Sequence, residues 1–140
     1  MRFQFIGLAV AVVAVVSGCG LVGPTPNTVP EEAGRITIDG NAQDTESVDC
    51  VQQDFSMLID ANTAQGRAHI YLQLGGVVPV VRTVTIEGVN GVNAVAGGNV
   101  GKAEAAIDRN VYTISGTAVG ADPEGPGQTR TMPFEIKAPC

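Results

Sequence analysis

The residues best placed to do chemistry lie at the end of an apolar N-terminal segment. Residues 5–16 carry no charge and run into Val16-Ser17-Gly18-Cys19. Small residues at Ser17 and Gly18 admit a signal peptidase, and the thiol of Cys19 is a nucleophile. This pattern is typical of a lipobox. It predicts cleavage before Cys19 and attachment of a diacylglyceryl group and an N-acyl chain there. The alternative is an ordinary secretory signal with a chance cysteine.

The length of the apolar segment supports a cleaved leader rather than a membrane span. As a helix it rises only ~18 Å, against a hydrocarbon core of about 30 Å, so residues 1–18 are predicted to be a signal peptide. Each buried methylene of an acyl chain contributes about 0.8 kcal/mol, and two chains anchor stably. We therefore expect a protein held on the extracytoplasmic face of the cell membrane, with the cell surface as a further destination and no cofactor besides these acyl chains.

The charge of the chain excludes several partners. The whole chain has 8 basic and 14 acidic side chains. The leader contains one charged side chain, Arg2. The chain after cleavage would therefore have 7 basic and 14 acidic side chains and a formal charge of −7. Such a chain repels nucleic acid and anionic headgroups, and its basic residues form no patch. We expect no nucleic-acid binding, and we expect a monomer.

The cysteine count predicts a crosslink. With Cys19 used for lipid, Cys50 and Cys140 remain as an even pair outside the cytoplasm. An oxidising compartment favours a disulfide between them. The alternatives are two free thiols or a metal pair. A metal would want further Cys or His ligands at short spacing, and the chain has a single histidine. We predict no metal site.

The segment that follows the lipobox is predicted to be a tether. Residues 19–34 contain three prolines and several small residues without hydrophobic periodicity. In polyproline form about fifteen residues reach up to ~45 Å. Thr25 and Thr28 lie among the prolines and are candidate O-glycosylation sites. A plain flexible linker is the alternative.

From residue 35 to residue 140 the pattern is that of half-buried strands. Apolar and polar residues alternate with a period of two, and Gly, Asn, Asp and Pro separate the runs. The alternating runs are residues 36–38, 48–50, 55–59, 68–74, 84–86, 102–107, 111–119 and 132–136. Short, punctuated strands of this kind predict an all-β domain of about seven to nine strands, an antiparallel sandwich or partly open barrel. The phase of the alternation places both Cys50 and Cys140 on the core side.

Other candidate chemical groups are sparse. His69 falls on the face opposite Ile70 and is predicted to be solvated, and no nucleophile elbow exists. We predict no catalytic residue and no enzyme. A loose acidic cluster near the first turn matches no calcium loop. Arg82 shares the parity of Val84, so it either reaches water at a strand end or faces a ligand cavity.

Four stretches carry a resemblance to a known family. They are Ile-Thr-Ile-Asp-Gly at residues 36–40, Val-Asn-Gly-Val at 89–92, Tyr-Thr-Ile-Ser-Gly-Thr-Ala at 112–118 and Phe-Glu-Ile at 134–136. With the lipobox, Cys50 and Cys140 they follow the order seen in the mycobacterial LpqH lipoproteins, typified by the nineteen-kilodalton antigen. The chain resembles that family over nearly its whole length.

The resemblance implies a surface-exposed, acylated envelope antigen. Its acylated N-terminus would be sensed by host Toll-like receptor 2, and adhesin-like binding and glycosylation are implied as well. The alternative function is a small lipid or glycolipid carrier with an apolar cavity in its β domain. A filled interior would count against the carrier hypothesis.

Overall fold

Ten β-strands make up most of residues 33–140, the part of the chain that this computed structural model describes. The strands are β1 Arg35–Ile38, β2 Asn41–Asp44, β3 Ser47–Gln53, β4 Ser56–Asn62, β5 Arg67–Gln73, β6 Val80–Val89, β7 Val92–Ala96, β8 Lys102–Asp108, β9 Val111–Ala121 and β10 Thr129–Pro139. The all-β prediction is confirmed. The count exceeds the expected range because β2 and β7 are short strands without a marked apolar alternation of their own.

All ten strands belong to one curled antiparallel sheet. Their order is β2-β1-β10-β9-β7-β6-β5-β4-β3, and β8 pairs with β9 beside β7. The sheet curls on itself into a half-barrel, as the prediction of a partly open barrel required. Curling gives one sheet an inner face that it can bury against itself, so no second layer is needed.

The core lies on the concave face of this half-barrel. Along β4 and β5, for example, every second residue is buried, and Ile59 pairs with Ile70, which pairs with Val84. The largest fully buried side chains are Ile36, Ile38, Ile59, Ile70, Leu72, Ile86, Ile114, Met132, Ile136, Val84 and Val89. A shift of one residue would expose all of these side chains, which fixes the register of the strands.

Strand β8 is held against β9 through a close backbone approach. Asp108 pairs with Val111 across a tight turn in which Arg109 has a φ of 58°, so the strands predicted from residues 102–107 and 111–119 are confirmed and form a hairpin. At the other end of the pair, a Cβ on Gly116 would collide with the carbonyl oxygen of Lys102. Only glycine lets the two strands lie this close.

The two ends of the strand order meet at a seam. The β2–β3 connection crosses it: the Thr45 amide donates to the Gly34 carbonyl over 2.9 Å, and the Glu46 amide donates to the Asn62 carbonyl over 2.7 Å. A disulfide joins Cys50 of β3 to Cys140, with 5.9 Å between the Cα atoms. Both cysteines therefore lie where the seam closes. Cys50 packs against the core, as its phase predicted, whereas Cys140 follows the end of β10 and is exposed.

Candidate functional site

An apolar surface projects from the end of the half-barrel at which β4 and β6 begin. It consists of Phe55, Val77, Val78 and Val80, which we call the apolar tip. The Phe55 side chain is 69% exposed and Val77 is fully exposed. Single exposed apolar residues are ordinary on a protein surface. Four exposed apolar side chains grouped at one end of a sheet form a patch of the kind at which contacts with a partner occur.

Two adjacent loops position the apolar tip. Phe55 lies in the β3–β4 turn, after Asp54 with its φ of 50°. Val77 and Val78 belong to the β5–β6 connection, and Val80 is the first residue of β6. The Leu74 amide donates to the Phe55 carbonyl over 2.6 Å, which joins the two loops. A Cβ on Gly75 would lie 3.2 Å from Cδ1 of Phe55, so the aromatic ring rests on this glycine. A backbone hydrogen bond and the contact with Gly75 thus fix the position of Phe55 relative to the β5–β6 loop.

The alternation over residues 55–59 predicts Phe55 on the core side with Met57 and Ile59, and this prediction is wrong. Met57 and Ile59 are buried as the alternation predicts, but β4 begins only at Ser56. Phe55 precedes the strand and belongs to the turn, where the period of two no longer determines the direction of a side chain. The signal that was missed is the unusually apolar loop Gly-Gly-Val-Val-Pro-Val at residues 75–80.

Arg82 is also displaced from its expected phase. Tyr71 pairs with Thr83 and Leu72 pairs with Val81, so Arg82 is the extra residue of a β-bulge. The bulge turns the side chain outward, where it is exposed and its Nε donates to Oε1 of Gln73 over 2.8 Å. Arg82 therefore does not point into the core.

Arg82 nevertheless borders a hollow. With Phe55, Gln73, Leu74 and Val80 it lines a concavity of about 540 Å³ beside the apolar tip. This hollow is open to solvent rather than enclosed within the half-barrel. A second open concavity of about 610 Å³ lies on the outer face of β6, β7 and β9, where Thr85 and Val95 are among its lining residues. Both are surface features.

His69 lies on the outer face, as predicted, and hydrogen-bonds to the Asp60 carboxylate through Nδ1. The His69 side chain is 45% exposed. Thr85 is its register partner on β6. Within residues 33–140, however, no hydroxyl hydrogen-bonds to His69. An activated nucleophile needs that contact, so the pair is an exposed carboxylate–imidazole contact without the third member of a triad.

Two acidic residues of the cluster near the first turn, Asp39 and Asp44, contact arginines. Asp39 accepts two hydrogen bonds from Nη2 of Arg130, at 2.7 and 2.6 Å, and Asp44 accepts one from Arg35 at 3.1 Å. In the described part of the chain, no three His, Cys, Asp or Glu side chains converge as a metal site would require. No helix between residues 33 and 140 is long and apolar enough to cross a membrane.

The lipid and glycan predictions concern the segment before residue 33. Cys19 with its lipobox and the threonines Thr25 and Thr28 lie outside the described residues. The domain that follows them is a small β half-barrel closed by a disulfide, the kind of domain that oxidising compartments contain.

Comparison with known proteins defines the class further. The profile of the family described as Mycobacterium 19 kDa lipoprotein antigen matches residues 27–140. The chain belongs to this family, as its resemblance to the LpqH lipoproteins indicated.

Two relatives show how far the similarity extends. The protein described as Probable lipoprotein LppE, from Mycobacterium tuberculosis (strain ATCC 25618 / H37Rv), is 33% identical over 135 residues, which is 96% of this chain and 94% of that protein. Lipoprotein LpqH of Mycobacterium avium is 34% identical over 109 residues, or 76% of this chain and 67% of that protein. Their names are consistent with a membrane-anchored place in the envelope.

Proposed function

We propose that this protein is an envelope lipoprotein anchored through acylated Cys19. Its β domain is a non-catalytic binding module of antigen or adhesin type, displayed on the extracytoplasmic side. The observation that carries the proposal is the succession of a lipobox at residues 16–19 and a domain that belongs to a lipoprotein antigen family. The acyl chains on Cys19 supply the attachment to the membrane.

A binding role fits the outer surface better than catalysis does. The His69–Asp60 pair is half-exposed on a β-sheet face, where water screens it and no hydroxyl is bonded to it. Catalytic groups act most strongly in sites that exclude water. The open hollows and the apolar tip instead offer surfaces that a partner can cover.

Metabolic labelling tests the anchor. In a mycobacterial host fed an alkyne fatty acid, the wild-type chain should carry the label and partition with membranes. Cys19→Ala should lose both properties. Cys140→Ala is the matched control, since it removes another cysteine but keeps the lipobox. Labelling that persists in Cys19→Ala would contradict the proposal. Intact mass of the labelled protein reports glycans at Thr25 and Thr28 as well.

Sensing by Toll-like receptor 2 would depend on the acyl chains, with the β domain as passenger. A reporter cell line that expresses the receptor should respond to the acylated chain and not to Cys19→Ala at equal concentration. A line without the receptor is the control. An equal response to both chains would assign the signal to the β domain and refute this part of the proposal.

The alternative function is a carrier of lipid or glycolipid in the envelope. The hollow beside Phe55 and Arg82 favours it, because an apolar wall and a guanidinium would suit an amphipathic ligand. The fully buried aliphatic side chains on the concave face of the half-barrel count against it. Native mass spectrometry of the chain purified from a mycobacterial host distinguishes the two functions. A co-purifying lipid mass supports the carrier, and a bare monomer mass supports display.

A further inference from the structure

We propose that the apolar tip inserts into the interface of the same bilayer that holds Cys19, so that the β domain lies against the membrane in one orientation. This inference rests on the proposed acylation of Cys19. The partner that we propose for the tip is a lipid bilayer, and not a second copy of the chain or another protein.

The shape of the tip suits a bilayer. Phe55, Val77 and Val78 project at the ends of two loops, and the side chain of Val77 contacts nothing that shields it from solvent. A convex end with one aromatic ring and several aliphatic side chains can enter the headgroup boundary to a depth of ~5–10 Å. Arg82 and Gln73 lie directly behind the tip, where their polar groups would meet the headgroup layer.

The distribution of charge favours the same orientation. The chain as a whole is acidic, with a net charge of −6. Residues 70–86, which include the β5–β6 loop and the strand ends beside it, contain Arg82 and no Asp or Glu, and Asp54 is the single acidic residue of the two loops that form the tip. An anionic membrane surface repels most of this domain, and the repulsion is weaker at this end, where Arg82 offsets the charge of Asp54.

The reach of the tether allows both contacts at once. The Cα of Gly34 lies against Val48, since a Cβ there would meet Cγ2 of that valine at 2.8 Å. From Val48 strand β3 runs to the turn that holds Phe55, a distance of ~23 Å at about 3.3 Å per residue. About fifteen residues, the length of the predicted tether, reach up to ~45 Å when fully extended. The tip and the acylated cysteine can therefore meet one bilayer.

Attachment through Cys19 also explains how so small a surface can stay bound to the membrane. Four side chains would bind a membrane only weakly from free solution. Once Cys19 is anchored, the tip contacts the bilayer at an effective concentration in the millimolar range, about what a short flexible linker provides. A weak contact then suffices to fix the orientation of the domain.

Single tryptophans test the proposal, because the chain has none. The chain from Cys19 to Cys140 is used, because it retains the ten strands and the core described above. Its Cys19 thiol is coupled to a maleimide lipid in phosphatidylcholine–phosphatidylglycerol vesicles, which anchors it without biological acylation. Val77→Trp probes the tip. Val95→Trp is the control, because Val95 is also exposed, on the outer face of β7.

The expected result is a blue shift of Val77→Trp emission on coupling and loss of its intensity when the acyl chains are brominated, with neither change in Val95→Trp. Equal quenching of both variants, or of neither, overturns the proposal. A blue shift that grows with protein concentration in the absence of vesicles assigns the tip to a second copy and also overturns it. Adding Phe55→Asp and Val78→Asp to Val77→Trp should abolish the quenching.

The anchoring chemistry keeps the two proposals separate. If the cellular labelling fails but Val77→Trp is quenched on maleimide-coupled vesicles, the acylation proposal is wrong and the tip is a membrane contact. If labelling succeeds and Val77→Trp is not quenched, the acylation proposal is supported and the proposal that the tip contacts the membrane is wrong.

Discussion

Cys50 and Cys140 come from strands near opposite ends of the strand order, yet their Cα atoms lie 5.9 Å apart. Cys50 belongs to the edge strand β3, and Cys140 follows β10, which is separated from the other edge by β1 and β2 alone. The crosslink therefore spans the opening of the half-barrel. The backbone hydrogen bond from Cys140 to the Asn110 carbonyl, 2.6 Å long, holds the C-terminus beside it.

Removal of the disulfide should destabilise the domain substantially. Cys50→Ser and Cys140→Ser each release a loop of 90 residues, and loss of a native disulfide in a small domain costs about 2–5 kcal/mol. Urea unfolding followed by circular dichroism measures the change. The double variant should be no less stable than either single one. Cys19→Ser is the control and should leave the midpoint unchanged, whereas an unchanged midpoint in Cys50→Ser would show that the crosslink does not support the fold.

Two isoleucines on paired strands give a matched test of the core. Ile114 is fully buried on β9 and Ile107 is half-exposed on β8. Ile114→Ala should cost about 2–5 kcal/mol of unfolding free energy, since it removes buried methyl groups and leaves a cavity. Ile107→Ala should stay within about 1 kcal/mol. Similar losses in the two variants would contradict the inward phase assigned to β9.

Asp39 contributes to the free energy of unfolding through its backbone conformation and through its charge, and two substitutions can separate these contributions. It has a φ of 52° in the β1–β2 turn and its carboxylate binds Arg130 at the start of β10. Asp39→Asn removes the charge but keeps a residue that tolerates this conformation, so it should cost up to about 1 kcal/mol. Asp39→Ala should cost about 1 kcal/mol more, because alanine is strained there.

Salt separates these contributions further. The cost of Asp39→Asn should shrink in high salt, because water and ions screen a partly exposed ion pair. The additional cost of Asp39→Ala should persist, because backbone strain is not screened. Thermal unfolding at low and high ionic strength provides the measurement. Identical melting curves for the two variants would exclude the backbone contribution.

Gly116→Val should detach β8 while the rest of the sheet persists. The added side chain would collide with the Lys102 carbonyl, and β8 has no partner besides β9. Amides of residues 102–108 should then exchange hydrogen rapidly, and those of β10 should stay protected. Gly76→Ala is the control, since a Cβ there would meet its nearest neighbour at an ordinary 3.5 Å. Continued protection of β8 in Gly116→Val would refute the close approach.

Much of the fold could be predicted because one face of the sheet is buried. On β5 and β10 the burial follows the period of two without exception, from Ala68 to Leu72 and from Met132 to Ala138. Alternation of this kind is a local property of the sequence, so the strands and their inward residues follow from it. The order in which the strands pair does not, since it depends on contacts between distant residues.

The candidate site was harder to predict because it lies where the alternation stops. A turn releases Phe55 from the phase of β4, and a bulge between paired strands reverses the direction of Arg82. A bulge is defined by two strands together, so one strand's sequence does not show it. The valines at residues 77 and 78 carry no polar partner that would have marked them as functional.

The seam brings the N-terminal and C-terminal ends of the domain together, and this has a use beyond the native protein. Arg35 pairs with Lys137, whereas the loop at residues 122–128 caps the far end of the β9–β10 hairpin, about 30 Å away at roughly 3.3 Å per residue. A peptide fused after Cys140 would begin beside the start of β1, close to the point at which the predicted tether enters the domain. A peptide inserted into the 122–128 loop would lie at the opposite end of the β9–β10 hairpin from the C-terminus, so that loop is the better place at which to graft an epitope meant for antibodies.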